Sequence, residues 1–197
     1  MDRQRGMALV VSLVLLILVL LLGVSAAQLS LQGEKAARSE RDRSVAFLAA
    51  EAALKDAEHD IDGSSDPARR AAFETGDGFE EACGAAGGSG AGLRIRAPAG
   101  ATPVWQTVDL SGSEDGGSCT TVHGAYTGAA MPTGEGFLPF KKPRYLIERM
   151  ECHQPGDDAS AGAPPRYCYR VTALGFGARP ETEVVLQSVF SKPETTP

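Results

Sequence analysis

No charged side chain stands between Arg5 and Glu34, and a stretch so apolar cannot form the surface of a water-soluble domain. From Gln28 to Ile61 there is no proline to stop a helix. Basic residues are in short supply. The formal net charge is −6, and beyond the apolar run 17 Lys and Arg face 24 Asp and Glu. That balance speaks against generic nucleic-acid binding, which needs a basic surface to displace counterions from phosphate. The motifs HExxH, GxSxG and GxxxxGK[ST] are all missing, and the glycine-rich stretch at 84–92 has no following lysine to meet phosphate. Catalysis is therefore not expected, nor is a cofactor, and His59, His123 and His153 read as solvated surface residues. The four cysteines, Cys83, Cys119, Cys152 and Cys168, contain no CxxC pair. Zinc sites normally use close pairs of ligands, so disulfides in an oxidising compartment are the better reading.

The chain has 197 residues, enough for one modest head beyond the apolar run. Met7 to Ala27 covers 21 residues, and at about 1.5 Å each they reach roughly 30 Å, the thickness of a bilayer's hydrocarbon core. A cleaved secretory signal is usually shorter, about 7–15 apolar residues. Its alternative cleavage point here would be Ser25-Ala26-Ala27, which has the small-x-small pattern. Arg3 and Arg5 favour a cytoplasmic N-terminus, against Lys35, Arg38, Arg41 and Arg43 at the other end, which Glu34, Glu40 and Asp42 dilute.

The helix is expected to continue past the membrane. GEKAARSERDRSVAFLAAEAALKDAEHDI is rich in good helix formers, and one element from Met7 to about Asp60 would be on the order of 80 Å long. Gly23 and Gly33 are points where it could bend. Phe47, Ala50, Leu54, Ala57 and Ile61 recur at spacings of three and four and form a packing stripe. On periodicity alone, a single-pass anchor with a coiled-coil stalk would look the same.

DGSSDP at 62–67 ends the helix. From there to about Phe140 the sequence is irregular, and CGAAGGSGAGL (83–93) and LSGSEDGGSC (110–119) have loop compositions. VWQTVDL (104–110) is the best strand candidate between them and LRIR (93–96) a weaker one. PRYLIERM (143–150), CYRVTALGF (168–176) and TEVVLQSVF (182–190) follow as three half-buried strands, the last two joined by the short link GARPE. An antiparallel meander results, and the stripe beginning at Phe47 is left to cover it. Cys152 and Cys168 lie at adjoining strand ends across the loop HQPGDDASAGAPPRY, which favours a bridge between them and leaves Cys83 with Cys119. Four cysteines allow three connectivities. Asp60, Asp62, Ser64 and Asp66 have the alternating oxygens of a calcium loop. The glycine falls at the fourth place instead of the sixth, and the twelfth is Ala71, so a helix-ending polar turn is the better reading. Glu114 and Asp115 read as a solvated loop tip.

A positive leader ending in Gly6, an apolar helix running into an amphipathic one and a C-terminal antiparallel sheet with disulfides together resemble the type IV pilin family. RQRGMALVVSLVLLILVLLLGVSA, RDRSVAFLAAEAALKDAE, PRYLIERM and YRVTALGFGARPETEVVLQSVF look like PilX-type minor pilins of bacterial type IV pili. The resemblance covers both ends of the chain, while 62–140 carries no recognisable pattern. It implies an α+β pilin fold, with a leader at 1–6, a membrane and filament-core half at 7–33, an amphipathic half at 34–61, a variable region at 62–140 and the sheet at 141–197. Gly6 would precede the cut made by the prepilin peptidase, and Met7 would become the mature N-terminus, usually N-methylated. The implied partners are other minor pilins and the major pilin, a pilus-tip adhesin and the inner-membrane assembly platform, with no specific nucleic acid. The implied location is the inner membrane, spanned once with the head in the periplasm, and then the pilus near its tip.

Most pilins carry glutamate at the fifth mature position, where it can pair with a neighbour's N-terminal amine. Here that position is Val11. A subunit without this acid is expected to dock poorly beneath another, which suits a place in an initiating complex at the tip that supports adhesion and twitching motility. The rival readings are a pseudopilin of type II secretion, built from the same leader and helix, and a single-pass membrane-anchored periplasmic binding protein.

Overall fold

The computed structural model describes residues 5–83, 87–113, 118–153 and 166–192. The leader at 1–4, Glu114 and Asp115, most of the 153–167 loop and the tail from 193 lie outside them. By contacts the chain falls into two compact units, Met1–Arg41 and Asp42–Pro197.

The helix α1 runs from Arg5 to Gly63. In the first unit it is the whole structure. Every large apolar side chain from Met7 to Leu31 is about half exposed or more. Ser12 and Ser25 turn their hydroxyls back onto the carbonyls of Leu9 and Leu21, at 2.9 and 2.8 Å, which hides the donors of an otherwise apolar cylinder. Gly23 and Gly33 lie within the helix and do not end it.

In the second unit the last turns of α1 lie against a five-stranded mixed sheet, the α+β arrangement that the pilin resemblance implies. The strands are β1 (Leu93–Ile95), β2 (Thr121–Val122), β3 (Arg144–Cys152), β4 (Arg166–Phe176) and β5 (Glu183–Phe190). The last three form the expected antiparallel meander, with Tyr145 opposite Ala173 and Ala173 opposite Leu186.

The middle of the chain departs from expectation in three ways. LRIR is a strand, but it runs parallel to β3, with Leu93 opposite Ile147, so the sheet is mixed. VWQTVDL is no strand: Val104–Gln106 form a single 3-10 turn after Pro103, and Val104 is buried as an anchor. A second helix, α2 (Pro67–Thr75), stands where irregular chain was expected. Asp66 caps it by accepting from the Arg69 amide at 2.9 Å, proline opens it, and Gly76 closes it at φ +83°.

The strands β3 and β4 are buried on both faces, not one. Tyr145, Ile147, Val171 and Ala173 face α1, while Leu146, Glu148, Thr172 and Leu174 alternate onto the other side and are also buried. Loops cover that side. Phe140 stacks edge-on against Phe176 at 5.2 Å, and Arg144 donates to the hydroxyl and carbonyl of Thr120 at 2.7 and 2.9 Å.

Candidate functional site

The helix face that meets the sheet is built from small and acidic residues. Ala46, Ala49, Ala50, Ala53 and Ala57 are all buried, with Ile61 at the end. Alanine lets the sheet reach the helix backbone: a Cβ added to Gly175 of β4 would sit 2.1 Å from the Ala46 carbonyl oxygen and 2.4 Å from the Ala50 amide nitrogen. Of the expected stripe, Ala50, Ala57 and Ile61 are buried and Leu54 is partly so, but Phe47 is 43% exposed. A ring at that position has no room where two backbones nearly touch, so the stripe turns about the alanines and leaves Phe47 outside.

Three aspartates share the alanine face, and each is held by a different segment of the head. Asp42 and Asp60 are eighteen residues apart, about five full turns, so they lie on the same side of the helix. The Asp42 carboxylate accepts from the backbone amides of Ala178 and Arg179 at 2.6 and 3.3 Å, from Arg179 Nε at 3.0 Å, and from the Thr182 hydroxyl. These donors all belong to the turn between β4 and β5. Burial raises the Asp42 pKa, but the bonds from Thr182, Arg179 and the two amides outweigh it and hold the carboxyl below its ordinary value. Asp56 accepts from the Gly124 amide at 2.7 Å and from the Thr127 hydroxyl. Gly124 is at φ +79°, and its Cβ would strike the Ala129 carbonyl oxygen at 2.0 Å; only glycine fits that turn.

Asp60 forms the most enclosed of the three. Its carboxylate takes Arg69 Nε at 3.0 Å and Nη2 at 2.7 Å, with both side chains fully buried, and it accepts from the Tyr145 hydroxyl at 3.1 Å. The rest of the guanidinium is also used. Nη1 donates to the carbonyls of Ser89 and Ala91, each at 2.7 Å, and the group lies 4.2 Å from the Tyr126 ring centroid. Burial raises the Asp60 pKa more than Arg69 and Tyr145 lower it, so the carboxyl sits above its ordinary value. Burial, with Asp60 beside it, pushes the Tyr145 hydroxyl well above its own. One arginine thus joins α1, α2 and two loops of the variable region.

The calcium-like spacing at 60–66 does not converge. Asp60 is committed to Arg69, Ser64 Oγ donates to the Tyr126 carbonyl at 3.2 Å, Asp66 caps α2, and Asp62 is exposed. Among the described residues no His, Cys, Asp and Glu group is arranged to hold a metal ion. Of the histidines, His59 and His153 are exposed, whereas His123 is 6% exposed and belongs to the interior, a correction to its reading as a surface residue. Its backbone amide bonds the Pro143 carbonyl at 2.9 Å, which carries the residue inward.

Both disulfides join the expected partners, Cys83 to Cys119 and Cys152 to Cys168. The second closes one end of the β3–β4 pair, where Met150 stands opposite Cys168 and Cys152 opposite Arg166. On α1, Gly6 and Met7 fall inside the helix, and Val11 is 53% exposed among the apolar side chains. Among the described residues α1 is the one helix long and apolar enough to cross a membrane.

The aspartates and Arg69 were missed by sequence reasoning, although the eighteen-residue repeat and its superposition on Ala46, Ala53 and Ala57 were there to be read. The helix α2 also had its signal, Asp-Pro at one end and glycine at the other.

Residues 5–55 match the family described as PilX N-terminal, and residues 61–192 match the one described as Type IV pilus assembly protein PilX C-term. No curated protein and no solved structure matches the chain.

Proposed function

We propose that this chain, which belongs to the PilX family of type IV pilus assembly proteins, is a minor pilin that primes assembly from a place at or near the filament tip. The observation that carries the reading is Val11, an apolar residue in an exposed helical segment with no carboxylate between Arg5 and Glu34. Leu, Ile and Val side chains contribute about 1.5–3 kcal/mol each when removed from water, so the segment must stay covered throughout, first by lipid and then by neighbouring helices. A pilin entering beneath another brings a charged N-terminal amine into that apolar bundle, and leaving it unpaired is costly. With valine at position 11 this chain cannot supply the usual carboxylate, so it fits best where its own docking onto an upper neighbour is not required.

In this reading the prepilin peptidase cuts after Gly6, and the mature chain begins at an N-methylated Met7. The protein waits in the inner membrane with its head in the periplasm. The apolar helix contacts other minor pilins and the major pilin, the assembly platform drives its extraction, and residues 62–140 face a tip adhesin. The result serves adhesion and twitching motility without catalysis.

N-terminal sequencing of the mature protein tests the processing step and should read from Met7. Labelling on single filaments tests the placement. Wild-type protein is expected at filament ends, with Val11→Glu appearing along the shaft as well; wild-type label spaced throughout the shaft would refute the tip assignment.

A further inference from the structure

One charge cluster in the head plays no part in the helix contacts. On the sheet face turned away from α1, Arg94 of β1, Glu148 of β3 and Arg170 of β4 stand side by side in register. Arg170 takes both carboxylate oxygens of Glu148, Nε at 2.8 Å and Nη2 at 2.6 Å, and Glu148 is fully buried. Two guanidinium groups therefore share one buried carboxylate, and the better geometry goes to Arg170. Arg94 is 9% exposed, and its Nε has no hydrogen-bond partner among the described residues. Its Nη2 donates to the Glu81 carbonyl. Burial lowers its pKa, and Glu148 and the exposed Glu81 side chain only offset this in part. The remaining nitrogen, Nη1, points at the disulfide: it lies 2.9 Å from Cys83 Sγ.

A buried cation short of a counter-ion and in contact with a sulfur favours the anionic form of that sulfur. Within a disulfide the sulfur carries no charge, so the pair Arg94–Cys83 becomes electrostatically complete only when the bridge is open. Access points to the same sulfur. Cys83 is partly exposed, whereas Cys119 is 6% exposed.

We propose that the Cys83–Cys119 bridge is a site of thiol–disulfide exchange with a dithiol of the CxxC or dithiothreitol class, with Cys83 forming the mixed disulfide and Arg94 holding its sulfur once released. A thiolate of the dithiol attacks Cys83 Sγ. The bond to Cys119 breaks, its electron pair leaves on Cys119 Sγ, and that sulfur takes a proton. The second thiol of the dithiol, deprotonated, then attacks the first. The bond to Cys83 breaks, and the pair leaves on Cys83 Sγ as a thiolate against Arg94, with one proton passing to solvent. The dithiol is oxidised by two electrons to its disulfide, and the bridge is reduced by two. Stabilising the thiolate of the reduced form shifts the equilibrium toward opening. This inference does not depend on the place of the protein in the filament.

The test equilibrates the full chain in detergent with mixtures of reduced and oxidised dithiothreitol, traps free thiols with a maleimide, and reads each bridge by peptide mass spectrometry. Cys83–Cys119 is expected to open at a reduced-to-oxidised ratio at least tenfold lower than Cys152–Cys168, a difference of about 30 mV for a two-electron couple. Arg94→Gln should abolish the difference and Arg94→Lys should retain most of it. If Arg94→Gln, folded by circular dichroism, opens at the wild-type ratio, the proposal is overturned. A second measurement keeps Arg94 in place. In Cys119→Ser the alkylation rate of Cys83 against pH should have its midpoint at least one unit below the ordinary thiol value of about 8.5, and a midpoint at or above that value also overturns it.

Discussion

Removing either member of the Asp60–Arg69 pair leaves the other as a buried charge without its counter-ion, and the two losses should not be equal. Both side chains are fully buried at 2.7 Å, so breaking the pair costs about 3–5 kcal/mol, against a total stability of about 5–15 kcal/mol for a domain. For a chain of this size that is a fall in Tm of roughly 10 °C. Asp60→Ala strands a guanidinium that cannot shed its proton under these conditions, and it also removes the acceptor of the Tyr145 hydroxyl. Arg69→Met strands a carboxyl that can take up a proton. Its pKa is already raised by burial, and losing Arg69 removes the largest influence that lowers it. An acid with a raised folded pKa contributes stability below its unfolded value, near pH 4, and loses it as pH rises through the folded value. The deficit of Arg69→Met should therefore be small at pH 4 and full at pH 7, while that of Asp60→Ala stays large at both. The double variant Asp60→Leu/Arg69→Met should recover most of the loss, because an apolar pair leaves no charge behind. Urea unfolding of the full chain in detergent, followed by circular dichroism at the two pH values, measures all three. Deficits below 1 kcal/mol for both single variants, or a double variant whose loss equals their sum, would show that the pair is not coupled as described.

Two further outcomes concern the same helix face. Asp42 is held below its ordinary pKa by its hydrogen bonds, so its contribution is present above the unfolded carboxylate value of about 4 and is lost as pH falls through the lower folded value. Asp42→Asn should lower the urea midpoint at pH 7 and converge with wild type under acid conditions; a gap that is constant with pH would contradict this. Gly175→Ala places a Cβ against the backbone of Ala46 and Ala50, where no side chain can yield, and should cost at least about 2 kcal/mol of overpacking, read from the same unfolding curves.

The elements with a strong period were legible in the sequence. The long helix follows from its composition and missing proline, and the meander from the alternation in β3, β4 and β5. What was illegible came from tertiary context. Val104 and Trp105 have high strand propensity, but Pro103 and the need to bury Val104 turn that segment into a short 3-10 helix. Leu146, Leu174 and Glu148 look like one solvated face of their strands, and burial of that face depends on loops whose path no local pattern encodes. Apolar size alone puts Phe47 inside the stripe, whereas the close approach at Gly175 selects for small residues. Both disulfides were legible because strand pairing brings Cys152 and Cys168 together and leaves two cysteines over.

The acidic residues on the alanine face explain how a featureless surface can hold the sheet at one height. Moving the sheet along α1 by one turn, about 5.4 Å, would replace Ala46 by Ala50, Ala49 by Ala53 and Ala53 by Ala57. At those three positions the same apolar surface would be covered, so burial there does not distinguish the two; the same shift puts Leu54 in place of Ala50, where Gly175 approaches closely. Asp42 and Asp60 are not repeated in that way, although Asp56 is, by Asp60. Four residues beyond them stand Ala46, Asp60 and Ser64, so a one-turn slip strands the donors from Ala178, Arg179 and Thr182 opposite an alanine and separates Arg69 from its carboxylate. Each buried group left without its partner costs about 1–3 kcal/mol, and more where a charge is involved. The alanines permit close contact, and Asp42 and Asp60, with Leu54 one turn beyond Ala50, decide where along the helix it occurs. This division of labour is why the aspartates are worth their desolvation on a face that could have been wholly apolar.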